Sequence, residues 1–140
     1  MKVRWSIYVL VCCVLLCLTG CGSNKEAQRS VLRVGVVLYT QDDPFINALT
    51  DCLKEDLEDY ETDSLKIIMT VRDGKNDQKL QDEVVEEILD AGCDILVVDL
   101  VDRTEPSNII KMAKNENIPV IFFNREPVRE DLMQWDKLYY

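Results

Sequence analysis

The 140-residue sequence contains no histidine. That absence removes the general base of Ser/His and Cys/His nucleophilic sites and the imidazole ligands of mixed Cys/His zinc centres. Cysteine available to a folded domain is also scarce. Of the six cysteines, Cys12, Cys13 and Cys17 lie in an N-terminal apolar stretch and Cys21 closes it, which leaves Cys52 and Cys93. Cys52 falls on the apolar face of a predicted helix and Cys93 just before a predicted strand, so both read as free, buried thiols and not as a bridge. Basic charge is short, with 16 Lys and Arg against 26 acidic residues. Such a chain is a poor partner for a phosphate backbone. Its acids are spread over helix faces such as KEDLEDYE and DEVVEE, where they serve solubility. Nor is there an apolar run long enough to span a bilayer. Trp5 to Leu18 supplies 14 residues after Lys2 and Arg4, against about 20 for a transmembrane helix, and reads as the core of a secretory signal peptide.

Residues 1 to 20 therefore read as a signal peptide. The segment Leu18, Thr19, Gly20, Cys21 resembles the lipobox of bacterial lipoproteins, in which small residues enter a peptidase groove and the cysteine thiol takes up a diacylglyceryl group. The resemblance implies a lipidated Cys21 that tethers the mature chain outside the cytoplasmic membrane. Removal of Lys2 and Arg4, and of no acid, leaves 14 basic and 26 acidic side chains, a net charge of -12. Residues 21 to 30, with the polar stretch GSNKEAQRS, read as a flexible tether. Residues 31 to 140 read as the folded domain.

That domain alternates with little slack. VLRVGVVLY (31 to 39) is a near-continuous apolar run, as expected of a strand covered on both faces. Phe45, Leu49, Cys52, Leu53 and Leu57 then recur at helical spacing, followed by a second strand, LKIIMTV (65 to 71). Leu80, Val84, Val85, Ile88 and Leu89 mark a second helix closed by Gly92, and DILVVDL (94 to 100) is a third strand. Pro106 suits the first turn of a third helix carrying Ile109, Ile110 and Ala113, and PVIFF (119 to 123) is a fourth strand. Right-handed crossovers turn this β-α-β-α-β-α-β order into an α/β fold with a doubly wound parallel sheet. The loops TQDDPF, RDGKND, VDRTEP and NREP then gather at the edge where such sheets bind ligands.

The segments VGVVLYTQDDPF, GKNDQKLQDEVVEEIL, LVVDLVD, IPVIFFNREP and WDKLYY resemble the N-terminal lobe of bacterial periplasmic galactose/glucose-binding proteins, the type I periplasmic-binding-protein components of ABC sugar importers. The resemblance runs from about Leu32 to Tyr140. It implies a two-lobed receptor closing on a monosaccharide, galactose or glucose, and delivering it to an ABC permease or a chemoreceptor. It implies no cofactor, no metal in this lobe and no catalysis. That family is about twice as long as this chain, so the sequence reads as a truncated form without the second lobe, ending where a fifth strand should start. Matched residue by residue, the resemblance makes Asp43, Phe45 and Asn124 sugar contacts. Arg125 stands where the family usually has lysine, and Pro44 stands where polar residues are common.

The residue types suit that role. A carboxylate accepts from two neighbouring hydroxyls, an amide both donates and accepts, and a phenyl face covers the C–H patch of a pyranose. Each position also has a purely structural reading. Asp42 or Asp43 can cap the helix that begins at Pro44, Phe45 can belong to the core with Leu49, and Asn124 before Pro127 can be only a turn. Asn76, Asp77 and Gln78 read as a helix start. Asp99 and Asp102, near the end of the third strand, suit a phospho-receiver site as a rival reading, although a secreted chain is removed from phosphodonors. Receptors for ribose or autoinducer-like sugars on the same scaffold are the other alternative. A transcriptional regulator would need a helix-turn-helix where the signal peptide stands.

Overall fold

The computed structural model describes residues 29–140. The signal peptide, the lipobox Cys21 and most of the tether therefore lie outside the described residues. Among the described residues, five strands and four helices follow in order: β1 Ser30–Leu38, α1 Pro44–Asp59, β2 Leu65–Asp73, α2 Gln78–Asp90, β3 Ile95–Val98, α3 Ser107–Asn115, β4 Val120–Phe122, α4 Arg129–Leu132 and β5 Leu138–Tyr139. The strands form one all-parallel sheet in the order β2-β1-β3-β4-β5. The doubly wound expectation holds, and a short helix and a fifth strand extend it.

The two faces are covered by different helices because the chain leaves β1 toward β2 but builds every later strand on the other side. On one face, Val37, Leu96, Val98, Val120 and Phe122 pack with Val84, Val85 and Ile88 of α2 and Ile109, Ile110 and Ala113 of α3. On the other, Val34, Val36, Leu38 and Val97 pack with Ile46, Leu53 and Leu57 of α1. Alternate valines of β1 thus point into different cores, which explains why that strand reads as an unbroken apolar run. The layer of α2 is close enough that only glycine fits opposite it: a Cβ on Gly35 would run into Cγ2 of Ile88. Gly92 ends α2 with φ +82°, a conformation in which glycine carries no Cβ penalty.

Two sequence expectations need correction. Cys52 is exposed while Cys93 is buried, and both are free. The buried stripe of α1 is centred on Ile46, Leu53 and Leu57, so Phe45, Leu49 and Cys52 lie on its open flank. The third strand is also shorter than its apolar run, ending at Val98, because Asp99 and Leu100 turn inward to contacts described below.

The Gly35 contact sets a test. Gly35→Ala is expected to lower the unfolding free energy by about 1 to 3 kcal/mol, the usual range for overpacking. Ile88→Ala in the same chain should relieve part of the clash, so urea denaturation of the double variant should show a loss smaller than the sum of the two single losses.

Candidate functional site

The β1–β3 junction is where successive strands diverge, and the loops leaving β1, β3 and β4 converge above it. The β1–α1 loop is pinned from both sides. Its Gln41 N–H donates to Asp73 Oδ1 at the end of β2 (3.1 Å), and its Gln41 carbonyl accepts from Asn47 Nδ2 of α1 (2.8 Å). Asp43, not Asp42, is the N-cap of α1, with Pro44 beginning the helix. Its Oδ1 accepts from the Phe45 N–H (2.8 Å) and its Oδ2 from the Tyr39 hydroxyl (2.5 Å). A carboxylate has about four lone-pair sites, so capping leaves room for further donors. The Tyr39 hydroxyl, then the Phe45 N–H, hold the Asp43 carboxyl below its ordinary range, and the same hydrogen bond raises the Tyr39 phenol. Phe45 is 62% exposed beside this carboxylate, which excludes the core reading.

Asn124 is exposed just after β4 and adopts φ +58°, a left-handed conformation that asparagine tolerates better than most residues. The Arg125 N–H reaches back to the Phe123 carbonyl (2.6 Å), making Asn124 the centre of a three-residue turn. Its Nδ2 lies 3.2 Å and 3.0 Å from the two oxygens of Asp99. Arg125 folds across the strand ends: its Nη1 donates to the carbonyls of Leu100 (3.1 Å) and Val101 (2.8 Å), and its guanidinium lies 3.8 Å above the Tyr39 ring. Such stacking on a partly desolvated face is worth on the order of 1 kcal/mol. Arg125 thus joins the ends of β1, β3 and β4, and among the described residues only its Nη1 side-chain nitrogen donates a hydrogen bond.

Three residues of this cluster carry more weight than their sequence context suggests. Tyr39 holds Asp43 and supports Arg125. Asp99 is fully buried, and burial pushes its carboxyl up to about 6 from an ordinary 3.8, against the lowering influence of Asn124 and Arg125. Gln81 is also fully buried, and its amide clasps the chain leaving β3, donating to the Asp99 carbonyl (2.8 Å) and accepting from the Val101 N–H (2.9 Å). The available signal for Gln81 was a polar residue on the helical stripe it shares with Val84, Val85 and Ile88. The first turn of α2 is a helix start as expected, capped by Asp77 on Leu80 N–H (3.1 Å), while Gln78 accepts from Asp102 N–H (3.0 Å).

Asp99 and Asp102 do not form a shared acidic site. Asp102 turns into its own loop and accepts from the Thr104 N–H and hydroxyl (2.8 and 2.7 Å), which lowers its carboxyl. Among the described residues, no group of three or more Cys, Asp or Glu side chains could hold a metal ion. A groove of about 190 Å³ lined by Arg33, Gly35, Ile68, Arg72 and Cys93 lies at the β2 flank of α2, away from this cluster.

Carboxylate, phenyl face, amide and guanidinium on the loop edge of a doubly wound sheet have the chemistry that suits a small polar molecule. Residues 34–140 match the periplasmic binding protein domain, and the chain belongs to that family. It is 33% identical over 119 residues to the D-galactose/methyl-galactoside binding periplasmic protein of Haemophilus influenzae, covering 85% of this chain and 35% of that relative. The ribose import binding protein of Escherichia coli is 27% identical over 100 residues, covering 71% and 32%. The chain thus spans about a third of the length of these curated relatives. Among solved structures, a galactofuranose binding protein superposes with a TM-score of 0.65 at 23% identity, covering 76% of this chain and 34% of that one. A solute binding protein from Bacillus halodurans with bound myo-inositol gives 0.59 at 26% identity, covering 76% and 35%. The fold is therefore part of a type I periplasmic binding protein, one lobe of it. Proteins of this family are extracytoplasmic solute-binding components and not enzymes. Among the described residues, no helix is long and apolar enough to cross a membrane.

Burial of Asp99 has a measurable consequence. Its folded pKa exceeds the unfolded value, so the folded chain holds the extra proton between about pH 4 and 6 and this group's contribution to stability falls as pH rises through that window. At 1.36 kcal/mol per unit the penalty reaches up to about 3 kcal/mol by pH 7. Asp99→Asn removes the charge while keeping the shape. Urea unfolding at each pH should show the variant gaining stability relative to the natural chain between pH 4 and 7, and a flat difference would contradict the assignment.

Proposed function

We propose that this chain is the first lobe of an extracytoplasmic, lipid-anchored receptor that captures a monosaccharide, galactose or glucose, for an ABC importer. The observation that carries the reading is the grouping of Asp43, Phe45 and Asn124 on one rim. Asp43 has lone pairs beyond those used in capping, Phe45 presents an apolar ring to solvent beside it, and Asn124 is held in a left-handed turn whose next residue, Arg125, stacks on the Tyr39 that holds Asp43. That set matches a pyranose, with hydroxyls for the carboxylate and amide and a C–H face for the ring. Similarity to a galactose-binding relative supports the choice of sugar, and similarity to ribose-binding relatives supports ribose as the second reading.

The mechanism is capture and release, with no bond made or broken. The sugar docks on this rim, and closure of a second lobe in the complete receptor buries it and presents a closed surface to the permease or a chemoreceptor. Arg125 joins the site through Nη2 and Nε, which no described residue engages, while Nη1 secures the loop. The acyl chains on Cys21 hold the receptor at the cell membrane beside its permease.

Amide-resolved NMR titration of the 140-residue chain with galactose, glucose and ribose tests the site. Galactose or glucose should shift the Asp43, Phe45, Asn124 and Arg125 amides saturably and ribose less. Shifts confined to other residues, or none, would overturn the reading. Asp43→Ala should weaken sugar binding by about 1.5 to 3 kcal/mol, the range for a hydrogen bond to a charged group, or about tenfold to more than a hundredfold. Cys21→Ser should abolish incorporation of labelled palmitate in a bacterial host and release the chain from the membrane fraction. Unchanged labelling would remove the anchor from this account.

A further inference from the structure

The amide of Asn124 can meet a ligand with either of its ends, and the two present opposite hydrogen-bonding groups. Its environment is one-sided. Both oxygens of the fully buried Asp99 face its Nδ2, at 3.2 Å and 3.0 Å. An ionised carboxylate only accepts, so it tolerates the NH₂ end of the amide and repels the carbonyl end. The Asp99 side chain is held in turn by its place in the chain: the Asp99 N–H donates to the Val37 carbonyl (2.9 Å), and Gln81 fixes the backbone that follows through the Asp99 carbonyl and the Val101 N–H.

We infer that Asp99 is a positioning residue that locks the Asn124 amide with its Oδ1 turned away from the core, so that the rim offers acceptors, the Asp43 carboxylate and Asn124 Oδ1, to hydroxyl donors of the ligand. This deepens the sugar-binding reading and rests on it only for the identity of the ligand. The lock depends on the charge of Asp99. A protonated Asp99 gains an O–H donor that can pair with Asn124 Oδ1, and the flipped amide is then no longer excluded. The charged and titratable groups facing Asp99 are Arg125 from the β4 loop, which favours its ionised form, and Asp43 from the β1 loop, which opposes it. Tyr39 couples to both through its hydrogen bond to Asp43 and its contact with Arg125. Burial outweighs these and brings the proton to about pH 6, within reach of mildly acidic surroundings.

The test needs no ligand at first. In the isotopically labelled 140-residue chain, the Asp99 carboxyl carbon and the Asn124 side-chain N–H₂ signals are followed from pH 4.5 to 8. Both should titrate with one shared midpoint near 6, and in Asp99→Asn, which preserves shape, the Asn124 signals should lose that transition. Asn124 signals that ignore the Asp99 titration in the natural chain would overturn the lock, whether or not the variant folds. Sugar titrations then separate the two claims. Affinity should fall about three- to tenfold from pH 7.5 to 5, the worth of one hydrogen bond, and should be flat in Asp99→Asn. Coupled titration without any sugar response at the rim would support the lock and remove the sugar reading. Sugar binding with an Asn124 amide indifferent to Asp99 would do the reverse.

Discussion

A carboxylate buried at the point where the sheet changes direction is the constraint on which the site depends. Asp99 follows directly on β3, the strand beside β1, and its neighbours come from the ends of the strands on either side. Asn124 supplies its hydrogen bonds from beyond β4, and Arg125, Tyr39 and Asp43 bring the end of β1 into the same cluster. A buried charge is tolerated only when paired or hydrogen-bonded, so the position of each of these groups restricts the others. The sheet supplies the convergence and the carboxylate supplies the order.

The surrounding structure can be understood as support for that arrangement. Two close-packed cores, one on each face, make the strand ends rigid relative to one another. Gln81 extends this rigidity into the loop after β3, and Asp73 and Asn47 extend it into the loop after β1. The polar rim is therefore mounted on short, fixed connections. Preorganisation of this kind lowers the ordering cost of binding a small polar ligand.

Most of the fold was legible because both cores follow simple periodicities. The apolar runs of β1, β2 and β3 and the 3.6-residue recurrence in α1, α2 and α3 locate every long element. Length was overestimated where apolar character continued beyond the strand, as at Leu100, which is buried but no longer paired. Cys52 is exposed against expectation because five apolar residues on α1 make a stripe wider than the face that packs. At the candidate site, the family-like context singles out Asp43 and Asn124, and the structure shows their cap and turn readings: Asp43 is a cap and Asn124 is a turn residue. Tyr39, Gln81 and the orienting contact of Asp99 were not legible. Their roles come from distances between segments far apart in sequence, and neither periodicity nor a local motif encodes those.

On the proposed reading, a single side chain serves fold and recognition together. Asp43 ends one loop and begins one helix while keeping unused lone pairs. Arg125 divides its donors between loop carbonyls and open space. Such sharing explains why charged groups stand at the end of an apolar strand. The most direct measurement is a crystal structure of the chain grown with D-galactose. A pyranose is expected to lie on the Phe45 ring with hydroxyls on the Asp43 carboxylate and Asn124 Oδ1. Sugar bound elsewhere, or on this rim through the Asn124 Nδ2 end, would contradict that expectation.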